Sequence, residues 1–215
     1  MQGQRIPNHV GIIPDGNRRW AASNNLEKQE GYNFGISPGV DLFEYLANYG
    51  VKEMTFYGFT KDNVRRPKKQ TVEYVNACVK AVEEIAKLDS EILVIGNTKS
   101  KVFPKALLKF AEKRVVCGKG GVKANFLINY DWNQDLTSSL QNNSKNIIDG
   151  LMSKDVSRIE LIIRWGGHRR LSGFLPVQSV YSDFYIIDDL WPNYKHEHLV
   201  NALNWYKTLD VTLGG

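Results

Sequence analysis

The residues in this sequence that are best suited to chemistry form the run PDGNRR, residues 14–19, directly after an apolar stretch that ends at Ile13. A carboxylate, a carboxamide and two guanidinium groups thus occupy neighbouring positions. Carboxylates hold hard cations such as Mg²⁺, and arginines and free backbone amides bind phosphate oxygens. The run therefore predicts a site for a metal-bound diphosphate, where a buried strand turns into a helix.

Two more basic clusters follow predicted strands in the same way. Residues 60–67, TKDNVRRP, come after the apolar run Met54–Phe59, and residues 164–172, RWGGHRRLS, come after Ile159–Ile163. The glycine pair 166–167 allows the backbone to approach a ligand closely. Because the carboxyl ends of parallel strands meet at one edge of a sheet, we expect the three clusters to line one cleft. Taken singly, each cluster also fits a solvated, arginine-rich surface.

Hydrophobic periodicity predicts the elements that position these clusters. Apolar runs predict strands at Val10–Ile13, Met54–Phe59, Ile92–Gly96, Val122–Tyr130 and Ile159–Arg164, and a short sixth at Phe184–Ile187. Amphipathic patterns predict helices at Val40–Asn48, Thr71–Lys87, Pro104–Val116, Leu136–Leu151 and His196–Leu209. This alternation indicates a single α/β domain over residues 1–215, with a mostly parallel sheet of about six strands flanked by helices.

Composition narrows the class of protein. The chain has 215 residues, of which 42% are hydrophobic, and a net charge of +5, which favours anionic partners. Cys78 and Cys117 lack metal-ligand spacing and are expected to be reduced thiols, as in a cytoplasmic protein. The sequence contains no apolar leader and no apolar run of the roughly 20 residues that span a bilayer. A nucleic-acid binder is a weaker alternative, because the cations lie in glycine-containing turns and no binding motif is present.

Three segments resemble the cis-prenyltransferases, the undecaprenyl diphosphate synthase family. They are HVGIIPDGNRRWA (residues 9–21), YGFTKDNVRRP (57–67) and IIRWGGHRRLSGFLPVQSVYSDFY (162–185), the last followed by DLWPNY (189–194). The resemblance implies condensation of an allylic prenyl diphosphate with isopentenyl diphosphate to a cis-prenyl diphosphate, with Mg²⁺ as cofactor and diphosphate released. It also implies a homodimer, an apolar substrate tunnel and a peripheral membrane contact for product release.

The resemblance further implies roles for individual residues. Asp15 would hold Mg²⁺ on the allylic diphosphate, Asn63 would lie near the reacting carbons and assist proton removal, and Asp183 matches a glutamate that reaches Mg²⁺. The residues implied in binding the allylic diphosphate and lining its cleft are Gly16, Asn17, Arg18, Arg19, Trp20, Lys28, Tyr32, Thr60 and Arg66. Those implied for the second diphosphate are Arg164, Arg170, Leu171 and Ser172. The tunnel-wall candidates, for which core packing is the alternative, are Phe43, Leu46, Phe59, Val79, Val82 and Ile85.

Several departures from the family pattern are concentrated around the predicted cleft. Tyr32 stands where the family usually has histidine, Val64 replaces a tryptophan, and His168 replaces a glutamate. The usual NYGGR run reads NYDWN at residues 129–133, and the terminal segment TLG, residues 212–214, lacks the family's arginine.

Altered chemistry is one interpretation of these departures. Some relatives couple two dimethylallyl diphosphates in an irregular, head-to-middle manner of the lavandulyl type, with or without ring closure. His168 would then be a candidate base for the final proton loss, since imidazole titrates in a suitable range. A phosphate contact or a structural role is the alternative for His168. A second alternative for the whole chain is a non-catalytic partner subunit.

Overall fold

Seven strands form a single sheet in the computed structural model, which describes residues 5–141 and 146–210. In chain order they are β1 (His9–Ile13), β2 (Glu53–Tyr57), β3 (Ser90–Ile95), β4 (Val115–Cys117), β5 (Val122–Leu127), β6 (Leu161–Arg164) and β7 (Asp183–Ile186). Across the sheet the order is β4-β3-β5-β2-β1-β6-β7, and every neighbouring pair is parallel except β3 and β4. The predicted α/β fold with a mostly parallel sheet is confirmed.

The helices lie between the strands, as the alternating pattern predicts. They are α1 (Asn17–Ser23), α2 (Gly31–Phe34), α3 (Ile36–Tyr49), α4 (Lys68–Ile85), α5 (Leu108–Glu112), α6 (Trp132–Gln141), α7 (Ile147–Gly150) and α8 (His196–Lys207). Short 3₁₀ turns occur at Lys61–Arg65, Lys105–Leu107 and Trp191–Asn193. No helix in residues 5–141 and 146–210 is long and apolar enough to cross a membrane.

Two predicted helices differ from the structure. The helix predicted for Pro104–Val116 ends at Glu112, and the valines at its end belong to β4, which pairs antiparallel with β3. The reason is that β-branched residues fit a pleated strand better than a helix. The helix predicted for Leu136–Leu151 is two helices, α6 and α7, between which residues 142–145 are outside the described chain.

The core lies on both faces of the sheet, because successive side chains of a strand point to opposite faces. Even-numbered residues of β1 and β2, such as Ile12 and Phe56, pack with α3, α4 and α8 in the larger cluster. Odd-numbered residues of the same strands, Ile13 and Tyr57, pack on the other face with the chain that precedes and follows β6, including Phe174.

A buried polar network crosses the sheet near its amino edge. The His9 ring bonds through Nδ1 to the Ser157 carbonyl at 3.0 Å and through Nε2 to the Thr55 hydroxyl at 2.8 Å. The Glu53 carboxylate accepts hydrogen bonds from Ser157 Oγ at 2.6 Å and from Asn125 Nδ2 at 2.7 Å. Because a carbonyl only accepts, Nδ1 of His9 carries a proton, and in the neutral ring, which burial favours, Nε2 accepts from the Thr55 hydroxyl.

We expect this histidine to make the fold acid-sensitive. Burial lowers the pKa of His9 below its usual value of about 6.5, against the opposing attraction of Glu53. The unfolded chain therefore binds this proton more readily, and stability is complete above pH 6.5 and falls as the pH decreases below it. Urea unfolding between pH 7.5 and pH 5 should show a slope of up to about 1.4 kcal/mol per pH unit. His9→Gln should flatten this dependence, and an unchanged slope in that variant would contradict the assignment.

Candidate active site

The candidate site lies at the carboxyl edge of the sheet. Strand β1 lies between β2 and β6 and is parallel to both, so the carboxyl ends of all three strands lie side by side. A cleft of about 550 Å³ opens at this edge, and residues of all three basic clusters line it. Asp15 and Arg164 are hydrogen-bonded there although they are 149 positions apart in sequence.

Most residues that the sequence nominated line this cleft. They are Asp15, Gly16, Asn17, Arg18, Arg19, Lys28, Tyr32, Thr60, Asn63, Arg66, Arg164, His168, Arg170 and Ser172. Two other residues of the predicted site, Trp20 and Leu171, do not line the cleft and contact neighbouring parts of the protein instead. Trp20 donates from its indole N–H to the Asn193 side chain at 2.7 Å, and Leu171 packs against the smaller core cluster.

Asp183 does not join Asp15 within one copy of the chain. It is the first residue of β7 and aligns with Leu161, whereas the cleft lies beyond Arg164 at the other end of β6. Three residues of extended strand, roughly 10 Å, separate these two edges. The Asp183 carboxylate instead pairs with Arg5 at 3.6 Å. That Asp183 reaches Mg²⁺ stays a prediction, since within one chain this carboxylate lies away from the cleft. The terminal segment at residues 212–214 lies outside the described chain.

An ion pair joins the first and third clusters in the middle of the cleft. Nη2 of Arg164 donates to a carboxylate oxygen of Asp15 at 2.8 Å, and Arg19 lies 3.6 Å from the other oxygen. Nη1 of Arg164 donates to the Arg170 carbonyl and, at 3.1 Å, to the Ser172 hydroxyl. The Arg164 side chain is only 4% exposed, and its Nε has no hydrogen-bond partner in the described chain. Arg164 is thus held in one orientation, with its unpaired Nε buried.

Gly166 of the third cluster brings the backbone close to the first cluster. Gly166 has a φ of +85°, and its carbonyl accepts a hydrogen bond from Arg19 at 2.9 Å. A Cβ at this position would lie 2.5 Å from Nη2 of Arg19 and 3.1 Å from the Asp15 carbonyl oxygen. Only glycine fits this position without moving residues that line the cleft.

Gly166→Ala should therefore disturb both the fold and the cleft. The left-handed backbone and the clash together should cost about 1–3 kcal/mol of stability. The displaced Arg19 should also raise KM for a diphosphate substrate. Thermal unfolding and steady-state kinetics measure the two effects. Gly121→Ala is the matched control, since Gly121 has a φ of +119° but nothing within 4 Å of a Cβ. Equal kinetics for the two variants would contradict this role of Gly166.

The second cluster forms a short 3₁₀ turn after β2. The Asn63 side-chain oxygen accepts from the Thr60 backbone N–H at 3.0 Å, and Thr60 bridges to Tyr130 on the neighbouring loop. These bonds fix Asn63 at the cleft wall. Nη1 of Arg66 donates to the Tyr32 hydroxyl at 2.9 Å, which links the turn to α2.

Charge in the cleft is strongly positive. Its cationic side chains are Arg18, Arg19, Lys28, Arg66, Arg164 and Arg170. Two carboxylates, Asp15 and Asp62, oppose them. This excess suits ligands that carry several negative charges.

A smaller cavity of about 80 Å³ adjoins the cleft and is mostly apolar. Its wall includes Cys78, Ile85, Phe126 and Ile128 between the sheet and helices α3 and α4. Of the tunnel-wall candidates predicted from the sequence, Ile85 lies in this wall. The others pack in or against the larger core cluster; they are Phe43, Leu46, Phe59, Val79 and Val82. Helical spacing located the apolar faces of α3 and α4, but could not separate core-facing from cavity-facing positions.

Sequence reasoning missed several residues that line the cleft, of which Tyr57 and Tyr74 have the largest side chains. Both line the cleft and the small cavity, together with Tyr32. Tyr57 lies in a predicted strand and Tyr74 in a predicted helix, so periodicity assigned both to ordinary packing. The spacing of the tyrosines in the sequence does not indicate that they line the cleft.

The residues present fit Mg²⁺ only in combination with a substrate. No group of three or more acidic, histidine or cysteine side chains that could enclose a metal occurs in residues 5–141 and 146–210. Mg²⁺ usually retains several waters and binds one or two carboxylates together with substrate phosphates. Asp15, one-third exposed and surrounded by cations, is suited to that shared mode.

This α/β protein has a cationic cleft beside an apolar cavity, at the carboxyl edge of its sheet. Such an arrangement suits a ligand with an anionic head and an apolar tail. Comparison with family models then gives the particular family. A model described as putative undecaprenyl diphosphate synthase matches residues 13–214, so the chain belongs to this family and is a prenyltransferase.

Relatives cover nearly the whole chain. An isoprenyl transferase of Streptococcus thermophilus is 33% identical over 98% of this chain and 94% of its own length. One from Bacillus subtilis is 29% identical, over 98% and 88% of the two chains. Among solved structures, lavandulyl diphosphate synthase from Lavandula x intermedia, in complex with dimethylallyl diphosphate, superposes with a TM-score of 0.85. It is 22% identical, over 98% of this chain and 99% of that one, and supports the fold.

Proposed function

We propose that this prenyltransferase joins two five-carbon prenyl diphosphates into a ten-carbon prenyl diphosphate and releases one diphosphate. The observation that carries the proposal is the small volume of the apolar cavity beside the cationic cleft. An apolar cavity of about 150 Å³ holds one benzene molecule. The cavity here is smaller, at about 80 Å³, and it opens into the cleft, with which it shares Tyr32, Tyr57 and Tyr74, so a five-carbon tail would lie partly in each space. Longer allylic chains would require side chains such as Phe126 and Ile85 to move.

The diphosphate of the allylic donor would bind in the part of the cleft near α1. Arg18, Arg19, Lys28 and Arg66 offer cations there. Asp15 would hold Mg²⁺ against the donor diphosphate, where the ion would neutralise charge that develops on the leaving group. The donor tail would then extend past Tyr32 into the apolar cavity.

The acceptor diphosphate would bind at the third cluster. Arg164 is fixed by Asp15 and Ser172, and Arg170 lines the same wall. Two diphosphate sites that share the Asp15–Arg164 pair would hold the reacting carbons together. Such positioning converts a bimolecular step into an effectively unimolecular one.

For the acceptor we infer a second dimethylallyl diphosphate, and the observation that favours it is His168. This residue lines the cleft, and its imidazole forms no hydrogen bond with the described chain, so it is available as a base. The donor C1–O bond breaks, and the diphosphate leaves with the electron pair. The acceptor C2 then bonds to C1, the positive charge moves to the acceptor C3, and loss of a proton from an adjacent methyl group completes a head-to-middle product. The lavandulyl enzyme with the same fold was solved with dimethylallyl diphosphate.

A product assay separates the candidate reactions. The purified protein is incubated with Mg²⁺ and deuterated dimethylallyl diphosphate, with and without unlabelled isopentenyl diphosphate, and products are identified by mass spectrometry after dephosphorylation. A ten-carbon product labelled in both halves from dimethylallyl diphosphate alone is expected. A product that requires isopentenyl diphosphate, labelled in one half, would instead establish chain elongation. No product from any combination, including farnesyl diphosphate with isopentenyl diphosphate, would favour the partner-subunit alternative.

We further propose that the chain acts as a homodimer. Helices α6 and α7 carry exposed apolar side chains, including Trp132, Leu140, Ile147 and Ile148, which are 47% to 74% exposed. Pairing would remove this surface from water. Sedimentation should give twice the chain mass of 24.5 kDa, and a particle of single-chain mass at working concentration would contradict the proposal.

Cys78 and Cys117 are free thiols, which supports the expected cytoplasmic location, and a membrane contact for product release stays a prediction.

A further inference from the structure

Three tyrosines lie where the cationic cleft meets the apolar cavity. Tyr32, Tyr57 and Tyr74 line both spaces, as do the smaller side chains of Pro14 and Asn17. A prenyl diphosphate with its head in the cleft and its tail in the cavity must cross this junction. Its first carbon, at which the C–O bond breaks, would therefore lie among the three rings.

The rings are held in place by neighbours on several sides. Tyr32 and Tyr74 stack in parallel, with ring centroids 4.4 Å apart and planes inclined by 7°. Tyr74 also meets the Phe59 ring edge-on at 5.6 Å, and the Tyr57 ring lies 5.2 Å from that of Phe174. Stacked and edge-on pairs of this kind add to the packing energy and restrict ring motion.

Each phenol oxygen is already engaged with the protein. Tyr57 donates to the Ser172 carbonyl at 2.7 Å and Tyr74 donates to the Gly58 carbonyl at 2.8 Å, while the Tyr32 oxygen accepts from Arg66 at 2.9 Å.

Burial raises the pKa of all three phenols above its usual value, so each remains protonated. A neutral, hydrogen-bonded phenol is a poor nucleophile compared with a phenolate. Ring carbons and hydrogens are thus what these residues offer to a reactive carbon.

We propose that Tyr32, Tyr57 and Tyr74 form an aromatic collar that excludes water from the first carbon of the allylic donor, an inference that rests on the proposed function. When the donor C–O bond breaks, the diphosphate takes the electron pair and leaves an allylic cation. If water reaches that cation, its oxygen bonds to C1 or C3 and a proton is lost, giving a five-carbon alcohol in place of the coupled product. The collar therefore determines what fraction of the cation is captured by water and what fraction forms the coupled product.

The test measures this division as well as the rate. Each variant is incubated with Mg²⁺ and dimethylallyl diphosphate, with isopentenyl diphosphate added if the wild type requires it. The five-carbon alcohol is extracted first, and the remaining ten-carbon diphosphate is dephosphorylated and extracted separately, so that unreacted substrate does not add to the alcohol. Gas chromatography and mass spectrometry then give the ratio of five-carbon alcohol to ten-carbon product. Tyr32→Ala should raise this ratio at least about tenfold, because water enters through the space of the missing ring. Tyr32→Phe restores the ring and should return the ratio close to that of the wild type, whatever its effect on rate.

Controls separate this role from a loss of folding and from failure of the proposed function. Tyr181→Ala removes an exposed tyrosine outside both cavities and should leave the ratio unchanged. Circular dichroism and thermal unfolding identify a variant that does not fold, and Tyr74→Ala then replaces Tyr32→Ala. If Tyr32→Ala or Tyr74→Ala is folded and active and gives the same ratio of alcohol to ten-carbon product as the wild type, the collar proposal is wrong. The proposed coupling reaction would not be affected by that result. A wild type that yields neither product nor alcohol would overturn the proposed function itself.

Discussion

Replacing Asp15 with alanine should reduce turnover by about 10³-fold or more while the chain remains folded. In the structure this carboxylate is the meeting point of Arg164, at 2.8 Å, and Arg19, at 3.6 Å. It is also the acidic residue at the centre of the cleft that suits the shared binding of Mg²⁺ with a diphosphate. Removing a group that stabilises charge on the leaving diphosphate typically costs several powers of ten in rate.

The measurement is single-turnover release of diphosphate at saturating Mg²⁺, with circular dichroism as the check of folding. Arg164 keeps its bonds to Ser172 and the Arg170 carbonyl in this variant, so secondary structure should persist. Asp62→Ala is the matched control, since Asp62 lines the same cleft but is 81% exposed and pairs only loosely with Arg65 at 3.8 Å. Its turnover should change little. Near-normal activity of Asp15→Ala would refute the metal assignment.

Arg164→Lys should lower kcat/KM by about 10²-fold although the positive charge is kept. The guanidinium of Arg164 serves Asp15 through one terminal nitrogen and Ser172 through the other, while Nε stays unpaired. A lysine ammonium is a single point charge and cannot replace this planar fork. Because the chain is tightly packed around this side chain, little rearrangement can compensate.

Steady-state kinetics over a range of dimethylallyl diphosphate concentrations measure this effect, because the proposed function places the same compound in both sites. The loss should appear chiefly as a higher KM, since we assign the acceptor diphosphate to the third cluster. Arg169→Lys is the control, because Arg169 is the exposed neighbour in sequence and does not line the cleft. A kcat/KM of Arg164→Lys equal to that of Arg169→Lys would contradict this role of Arg164.

Local pattern was sufficient for most of the fold. Runs of apolar residues identified β1, β2, β3, β5 and β6, and three-to-four spacing identified α3, α4 and α8, because one buried face is needed in each. Strand β4 was missed because its three residues form a strand only through pairing with β3. The two helices of residues 132–150 were merged because their polar, asparagine-rich sequence contains no strong stop signal.

The cleft itself could also be anticipated, since each basic cluster follows a strand and parallel strands end at the same edge. The position of Asp183 could not be anticipated, because a motif match does not show at which end of its strand a residue lies. Nor could sequence spacing tell that Val82 faces the core while Ile85 reaches the apolar cavity.

The sequence by itself determined the family through its motifs. It also determined most of the strands and helices and the clustering of charges at one edge of the sheet, because these depend on local periodicity and on residue type. Tertiary structure alone decided that Tyr57 and Tyr74 join Tyr32 between cleft and cavity, and that the cavity beside them is as small as about 80 Å³. Both properties arise where α3 and α4 pack on the sheet and Tyr32 of α2 stacks on Tyr74 of α4. A packed volume is set by contacts between residues far apart in the chain, which no local pattern records.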